Sequence, residues 1–213
     1  MHPPEETLLA VATGQADLPY RVMVEGHLDT CASCRATAGQ MSAVGGTLLE
    51  SLDVPEIPTG HLWERLRRQI ETLPRSPVPD PVLAGLPLPE GARRELPPLR
   101  PLRWHWPLVR GARYAVLCRD RFTGSFLILA HMAPRRVFAR HVHLGPEDVL
   151  VLAGGYEDQR GIWEAGGYAA YAPGTEHRPR TEPDEECWTL TRLERPNLFL
   201  GWRGLAQRLL RLG

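Results

Sequence analysis

The sequence predicts two domains of different class, an all-α bundle followed by an all-β barrel or sandwich. Three observations carry this. Residues up to about 73 show helical apolar spacing. Residues 74–101 hold nine prolines in 28 positions, a density that neither continues a helix nor sustains a strand pattern. After them come short runs rich in Val, Ile, Tyr and Phe, separated by Gly and Pro turns, as in all-β domains.

The opening "PPEETLLAVATGQ" has proline and acids at a helix start and Gly14 as a stop. Leu18 to Leu52 reads as one long helix-compatible segment, with Gly45-Gly46 the expected break. In "TGHLWERLRRQIETL", Leu62, Leu66, Ile70 and Leu73 fall on one helix face, opposite mixed charge. The proline-rich stretch reads as a stiff linker, which at about 3.1 Å per residue would separate two domains by several tens of Å. Strands are expected in "RYAVLCRD", "GSFLILAHM", "RRVFARHVH", "EDVLVLAGG", "GIWEAGGYAAYAPG" and "CWTLTRLE". The end, "NLFLGWRGLAQRLLRLG", reads as an amphipathic helix with Arg203, Arg208 and Arg211 among leucines. It is expected to dock on a domain or partner, with a membrane-surface helix the lesser alternative. The expected boundaries are 1–73, 74–101 and 102–213.

Lys+Arg and Asp+Glu balance at 25 each, for a formal net charge of zero. Such a chain lacks the basic footprint that holds nucleic acid, so direct nucleic-acid binding is not expected. The opening places acids where a secretion leader needs positive charge, and no run approaches about 18 apolar residues. A cytoplasmic protein without a membrane span is expected. There thiols stay reduced, so the four cysteines read as metal ligands, reactive groups or small core residues.

Two constellations carry chemistry. In "EGHLDTCASCRATAG", His27, Cys31 and Cys34 stand at i, i+4 and i+7, one face of a continuous helix. Two thiolates and an imidazole suit zinc, and a fourth ligand would close a tetrahedron. His2 and His61 are the distant candidates, and His2 is favoured because the helix it precedes can lie against the second. Two alternatives stand beside zinc: a redox Cys-x-x-Cys pair, which lacks the preceding strand such motifs need, and buried structural thiols with an incidental histidine. In "RHVHLGPEDVLVLAG", His141 and His143 point to one side of a strand. Glu147 returns after a Gly-Pro turn, and His177 follows in "GGYAAYAPGTEH". These four donors suit zinc, iron, manganese or nickel, and spacing does not choose among them.

The first constellation resembles the signature of zinc-binding anti-sigma domains, His-x-x-x-Cys-x-x-Cys with a further His before an earlier helix. The second resembles the cupin pattern. His141, His143, Glu147 and Gly154 meet its first motif; Gly166, Gly174 and His177 meet the second. Arg135 stands where the first motif has glycine, Ala172 where the second has proline, and Thr181 where it has a final asparagine. These departures bear on loop shape more than on metal ligands. Together, in this order along nearly the whole chain, the two motifs resemble ChrR-type anti-sigma factors. The resemblance implies a helical zinc domain (His2, His27, Cys31, Cys34) joined to a jelly-roll cupin whose metal is bound by His141, His143, Glu147 and His177. It also implies a non-enzymatic regulator that holds an extracytoplasmic-function sigma factor and frees it on an oxidative signal, singlet oxygen being the family's best-known trigger. Cys187 matches a cysteine of that family and is a candidate reactive site or a small strand residue. The alternatives are a cupin dioxygenase or isomerase with a helical partner module, and an anti-sigma factor whose Cys31–Cys34 pair is itself the sensor.

Overall fold

The computed structural model describes residues 2–53, 60–72, 82–107, 109–201 and 204. Helix α1 (Glu5–Ala12) carries Glu5 and Glu6 in its first turn, where the helix dipole favours acids. It gives way at Gly14, whose φ is +72°. Helix α2 (Leu18–Thr30) is capped by Asp17, which accepts the Tyr20 N–H at 2.9 Å. The long segment breaks at Cys31 and not at Gly45-Gly46. Cys31 is extended (φ −114°, ψ 102°) between α2 and α3 (Ala32–Glu50). The Thr30 hydroxyl bonds the His27 carbonyl at 3.1 Å, a side-chain bond that competes with the helix ladder where α2 ends. Gly45 and Gly46 have open surroundings and are carried by the helix formers around them. Helix α4 (Gly60–Thr72) carries Leu62, Leu66 and Ile70 as expected, with Arg67 paired to Glu64 and Glu71 at 2.9 and 3.5 Å. Leu73 lies outside the described residues.

Within its described part, the expected spacer sends several apolar side chains into the core while Ala84, Pro97, Pro98 and Pro101 stay exposed. Helix α5 (Glu90–Glu95) forms inside it. Leu83, Leu88, Ala92 and Leu96 are buried in one cluster with Val22 and Met23 of α2. Proline density signalled stiffness, but leucines interleave with the prolines, and each fully buried leucine contributes about 1.5–3 kcal/mol. The α5–α2 contact is close enough to require glycine: a Cβ at Gly91 would stand 2.4 Å from the Glu25 carbonyl oxygen. The Gly91 N–H donates to Asp29 at 2.6 Å.

The rest is β: β1 (Trp104–His105), β2 (Ala112–Arg119), β3 (Phe126–Met132), β4 (His141–Val142), β5 (Glu147–Ala153), β6 (Gly155–Asp158), β7 (Gly161–Glu164), β8 (Tyr168–Tyr171), β9 (Glu176–His177), β10 (Arg180–Thr181), β11 (Cys187–Leu193) and β12 (Leu198–Phe199). The ladders are antiparallel and form three sheets, β1-β2-β3-β11-β5-β8, β10-β6-β7 and β12-β4-β9, which do not close into one hydrogen-bonded barrel. The apolar runs expected as strands all contribute to these sheets, although "RRVFARHVH" supplies only β4 at its end. Leu198–Phe199 pairs with β4, so the expected terminal helix does not begin at 197. Residues 202, 203 and 205–213 lie outside the described residues. Among the described residues, no helix is long and apolar enough to cross a membrane.

Helix α2 lies on the six-stranded sheet, where Val22 and Met23 meet Leu117, Leu127, Leu129, Leu150, Leu190 and Tyr168. A buried ion pair fastens it: Arg192 Nη2 reaches Asp17 at 2.7 Å, with the two side chains 2% and 4% exposed. Ser125 donates to the same carboxylate at 2.7 Å, and the guanidinium stacks 3.7 Å above the Tyr20 ring.

Candidate metal centres

The break at Cys31 rearranges the first constellation. His27 comes from the last turn of α2, Cys31 from the junction and Cys34 from the first turn of α3, so two helices and not one face supply the donors. His2 arrives from the segment before α1, its Nδ1 3.3 Å from each sulfur. The four donor atoms lie within 4.8 Å of one another. His27 Nδ1 donates to the Gly166 carbonyl at 3.1 Å, while its Nε2 is buried with no hydrogen-bond partner. Burial alone would raise the Cys31 thiol, but hydrogen bonds from Ser33, the Cys34 amide and thiol, and His2 bring it down to about 6. Burial and the neighbouring Cys31 sulfur push Cys34 up to about 11. Cys31 is thus the more readily deprotonated of the two thiols. An orphaned buried imidazole nitrogen facing two sulfurs and a second imidazole fits zinc, which would satisfy that nitrogen and would hold the second thiol deprotonated.

In the second constellation, His141 and His177 face each other in register across β4 and β9. His143 follows β4, and Glu147 opens β5. All four are buried and their donor atoms lie within 4.8 Å of one another. Each imidazole spends its Nδ1–H outward: His141 to the Ala139 carbonyl at 2.8 Å, His143 to Thr175 Oγ1 at 2.9 Å and His177 to Asp158 Oδ2 at 2.9 Å. Thr175 is an acceptor because its own proton goes to the Ala172 carbonyl at 2.6 Å. Every Nε2 is therefore left to face inward. The His141 and His177 Nε2 atoms stand 2.9 Å apart, Glu147 Oε1 is 3.4 Å from His143 Nε2, and His143 Nε2 has no hydrogen-bond partner.

Burial holds His141 down to about 4 and lowers His177. Burial alone would raise Glu147, but the facing imidazoles outweigh it and hold the carboxylate below its usual range. Lowered His141 and His177 beside a lowered Glu147 carboxylate favour the protonation state a divalent metal requires. Beside the cluster is a cavity of about 140 Å³, with Ile128, Met132, Phe138 and Val149 in its walls and His141, Glu147 and His177 at one side.

The motif departures have structural compensation. Arg135 takes φ +57°, costly for a residue with a Cβ. Its N–H bonds the Glu182 carbonyl at 3.0 Å and its Nε the Pro183 carbonyl at 2.9 Å. Thr181 accepts the Arg136 N–H at 2.9 Å and donates to the Ala133 carbonyl at 2.8 Å, fastening that loop. Gly154 has φ +62°, and a Cβ there would lie 1.8 Å from the Glu186 carbonyl oxygen. Cys187 is buried at the cavity wall and Cys118 in the core; burial pushes both thiols up to about 12. His131 bonds Glu186 at 2.8 Å, His105 stacks on Tyr114 and His61 lies on exposed α4, so none of the three joins a cluster.

Asp158, Thr175 and Asn197, which donates to Glu147, went unread in the sequence. For Asp158 a signal existed: strand alternation in Tyr156–Glu157–Asp158 puts the acid on the buried face with Tyr156.

The fold and its clusters define a class, a helical His/Cys module packed on a cupin that carries three histidines and a glutamate. A family described as the ChrR cupin-like domain matches residues 98–195. The anti-sigma-E factor ChrR of Cereibacter sphaeroides is 31% identical over 203 residues, covering 93% of this chain and 91% of its own. The crystal structure of Rhodobacter sphaeroides SigE in complex with the anti-sigma ChrR matches with a TM-score of 0.71 and 27% identity, over 90% of this chain and 97% of that one. The chain belongs to the ChrR family of anti-sigma factors.

Proposed function

We propose that this protein is a cytoplasmic anti-sigma factor that holds an extracytoplasmic-function sigma factor inactive and releases it when its cupin domain meets an oxidative signal, singlet oxygen among the candidates. The observation that carries this is an apolar surface left uncovered on the helical layer of a ChrR-family chain. Val44, Leu48 and Leu49 on α3 are 62%, 63% and 68% exposed. On α4, Trp63 and Ile70 are also exposed, and no residue of that helix is buried. Helices with such unpartnered faces fit a protein partner, and a ChrR relative was solved in complex with SigE.

His2, His27, Cys31 and Cys34 would hold zinc. The helical layer needs it: its own buried cluster is Leu8, Val24 and Cys34, whereas a structural zinc contributes about 10–16 kcal/mol of apparent binding energy to folding. His141, His143, Glu147 and His177 would hold a second divalent metal, which supplies Lewis-acid or redox chemistry according to its identity. Loosening the sigma grip a hundredfold needs about 2.7 kcal/mol of differential interaction, so a local change at one centre suffices.

Co-expression with candidate sigma factors, pull-down and metal analysis test this. Wild type should retain one sigma factor and two metals. Leu48→Glu and Cys31→Ser should lose the sigma factor, while Glu147→Ala should keep it and lose the oxidant response. Sigma binding that survives Leu48→Glu and Val44→Glu together would overturn the assignment of the surface. A cupin metalloenzyme is the second candidate, favoured by the cavity beside the cluster. Oxygen consumption by the metal-loaded protein with a diketone or thiol would support it.

A further inference from the structure

One ligand from each cluster leans on the same stretch of chain, residues 155–167. On the cupin side, His177 Nδ1 donates to Asp158 Oδ2 at 2.9 Å, and Tyr171 donates to the same oxygen at 2.6 Å. The other carboxylate oxygen accepts the Trp163 indole N–H at 3.2 Å and the Arg160 N–H at 2.9 Å. Asp158 thereby ties the His177 ring to β7, on which Trp163 is buried. Three residues beyond Trp163, the Gly166 carbonyl accepts His27 Nδ1–H at 3.1 Å. The turn carrying that carbonyl has little freedom. Gly166 N–H bonds the Val151 carbonyl at 2.9 Å, Val151 N–H bonds the Gly167 carbonyl at 3.0 Å, and Gly166 has φ +83° with Thr30 Oγ1 3.4 Å from where a Cβ would sit.

Outer partners of metal-bound histidines set the ring orientation and basicity, and losing one typically costs about 10–100-fold in metal affinity. Here the two outer partners, Asp158 and the Gly166 carbonyl, are joined by β7. We propose that Asp158, Trp163 and the Gly166 carbonyl are positioning groups that couple the two metal centres. When His177 is held in its ligating orientation, Asp158 is held with it, Trp163 anchors β7, and the Gly166 carbonyl is held against His27. Filling the cupin centre then tightens metal binding at the helical centre, and by linkage the reverse is equally true. This rests on both clusters holding metal. It adds a route by which a change at the cupin can reach the helical centre without any residue of one cluster touching the other.

The test uses the full chain loaded with Co²⁺. Thiolate-to-cobalt charge transfer reports the helical centre, since the four donors of the cupin cluster include no sulfur. Chelator competition followed in that band gives the helical-site affinity, and Glu147→Ala removes one of the four cupin donors, with loss of the cupin metal checked by total bound cobalt. Emptying the cupin should weaken helical-site cobalt binding by about fivefold or more, at the low end of typical site–site couplings. In a Trp163→Phe background, the same Glu147→Ala change should alter the affinity by less than about twofold. Asp158→Asn, nearly isosteric, breaks the same chain of contacts should Trp163→Phe fail to fold. The proposal is overturned if Glu147→Ala leaves helical-site affinity unchanged in the otherwise wild-type chain, or if the coupling survives both Trp163→Phe and Asp158→Asn. Wild-type protein that binds a single cobalt refutes the two-centre assignment itself, a failure distinct from two centres that fill independently.

Discussion

Replacing Asp17 with asparagine should release α2 from the sheet at a cost that can be worked from the contacts. Asp17 and Arg192 are 175 positions apart and nearly fully buried, with an N···O distance of 2.7 Å. Removing one partner of a buried pair typically costs about 3–5 kcal/mol, because the other charge is left uncompensated. The lower end, about 3 kcal/mol, applies here, since the guanidinium still faces Glu194 at 3.1 Å and Asp148 at 3.8 Å. Asparagine keeps an oxygen for the Tyr20 N–H. Asp17→Ala loses that cap as well, for about 1 kcal/mol more.

Urea unfolding of the metal-loaded chain measures both variants, and a cycle with Arg192→Met isolates the pair. Its coupling should be about 2–3 kcal/mol. Burial alone would raise the Asp17 pKa, but bonds from Arg192, Ser125 and the Tyr20 N–H hold it below its ordinary 3.8. A carboxylate depressed in the folded state contributes stability that is full above the unfolded pKa and is lost as pH falls through the folded one. The gap between wild type and Asp17→Asn should therefore be constant above pH 3.8 and shrink below it. An Asp17→Asn chain within about 0.5 kcal/mol of wild type at neutral pH would refute the idea that this pair fastens the helical layer to the sheet.

In metal-stripped protein shown by circular dichroism to keep its helices, alkylation should modify Cys31 first, because its thiol lies near 6 while those of Cys34, Cys118 and Cys187 lie near 11 to 12; adding zinc should suppress it, as read by peptide mass mapping. Gly154→Ala should cost about 3 kcal/mol or more, since alanine resists positive φ and its Cβ would collide with the Glu186 carbonyl oxygen; a thermal-shift assay decides it. Thr181→Val keeps the volume but leaves the Arg136 N–H and Ala133 carbonyl without that partner, for about 1–3 kcal/mol, visible as a lower urea midpoint.

Much of this protein is legible in its sequence because the signals are local. Helical spacing around Leu62, Leu66 and Ile70, alternation in the β runs, and the His-x-His and Cys-x-x-Cys spacings each depend on a backbone period of a few residues. These features determined the helical-then-β order, the runs that become the main strands, and seven of the donors that the structure brings into its two clusters. His2 lies outside any local spacing and was favoured because the helix it precedes can lie against the second.

Tertiary structure alone decided the rest, for a physical reason. A buried polar group needs a partner, but nothing local says which. His27 found a carbonyl 139 positions away, Asp17 found Arg192, and the proline-rich stretch found a place beside α2 because its leucines bury apolar area that periodicity does not record. The break at Cys31 belongs to this group, since it brings donors from two helices to one point. Sequence named the clustered donors; the fold chose what stands behind them, placing Asp158 behind His177 and the Gly166 carbonyl behind His27 on one stretch of chain.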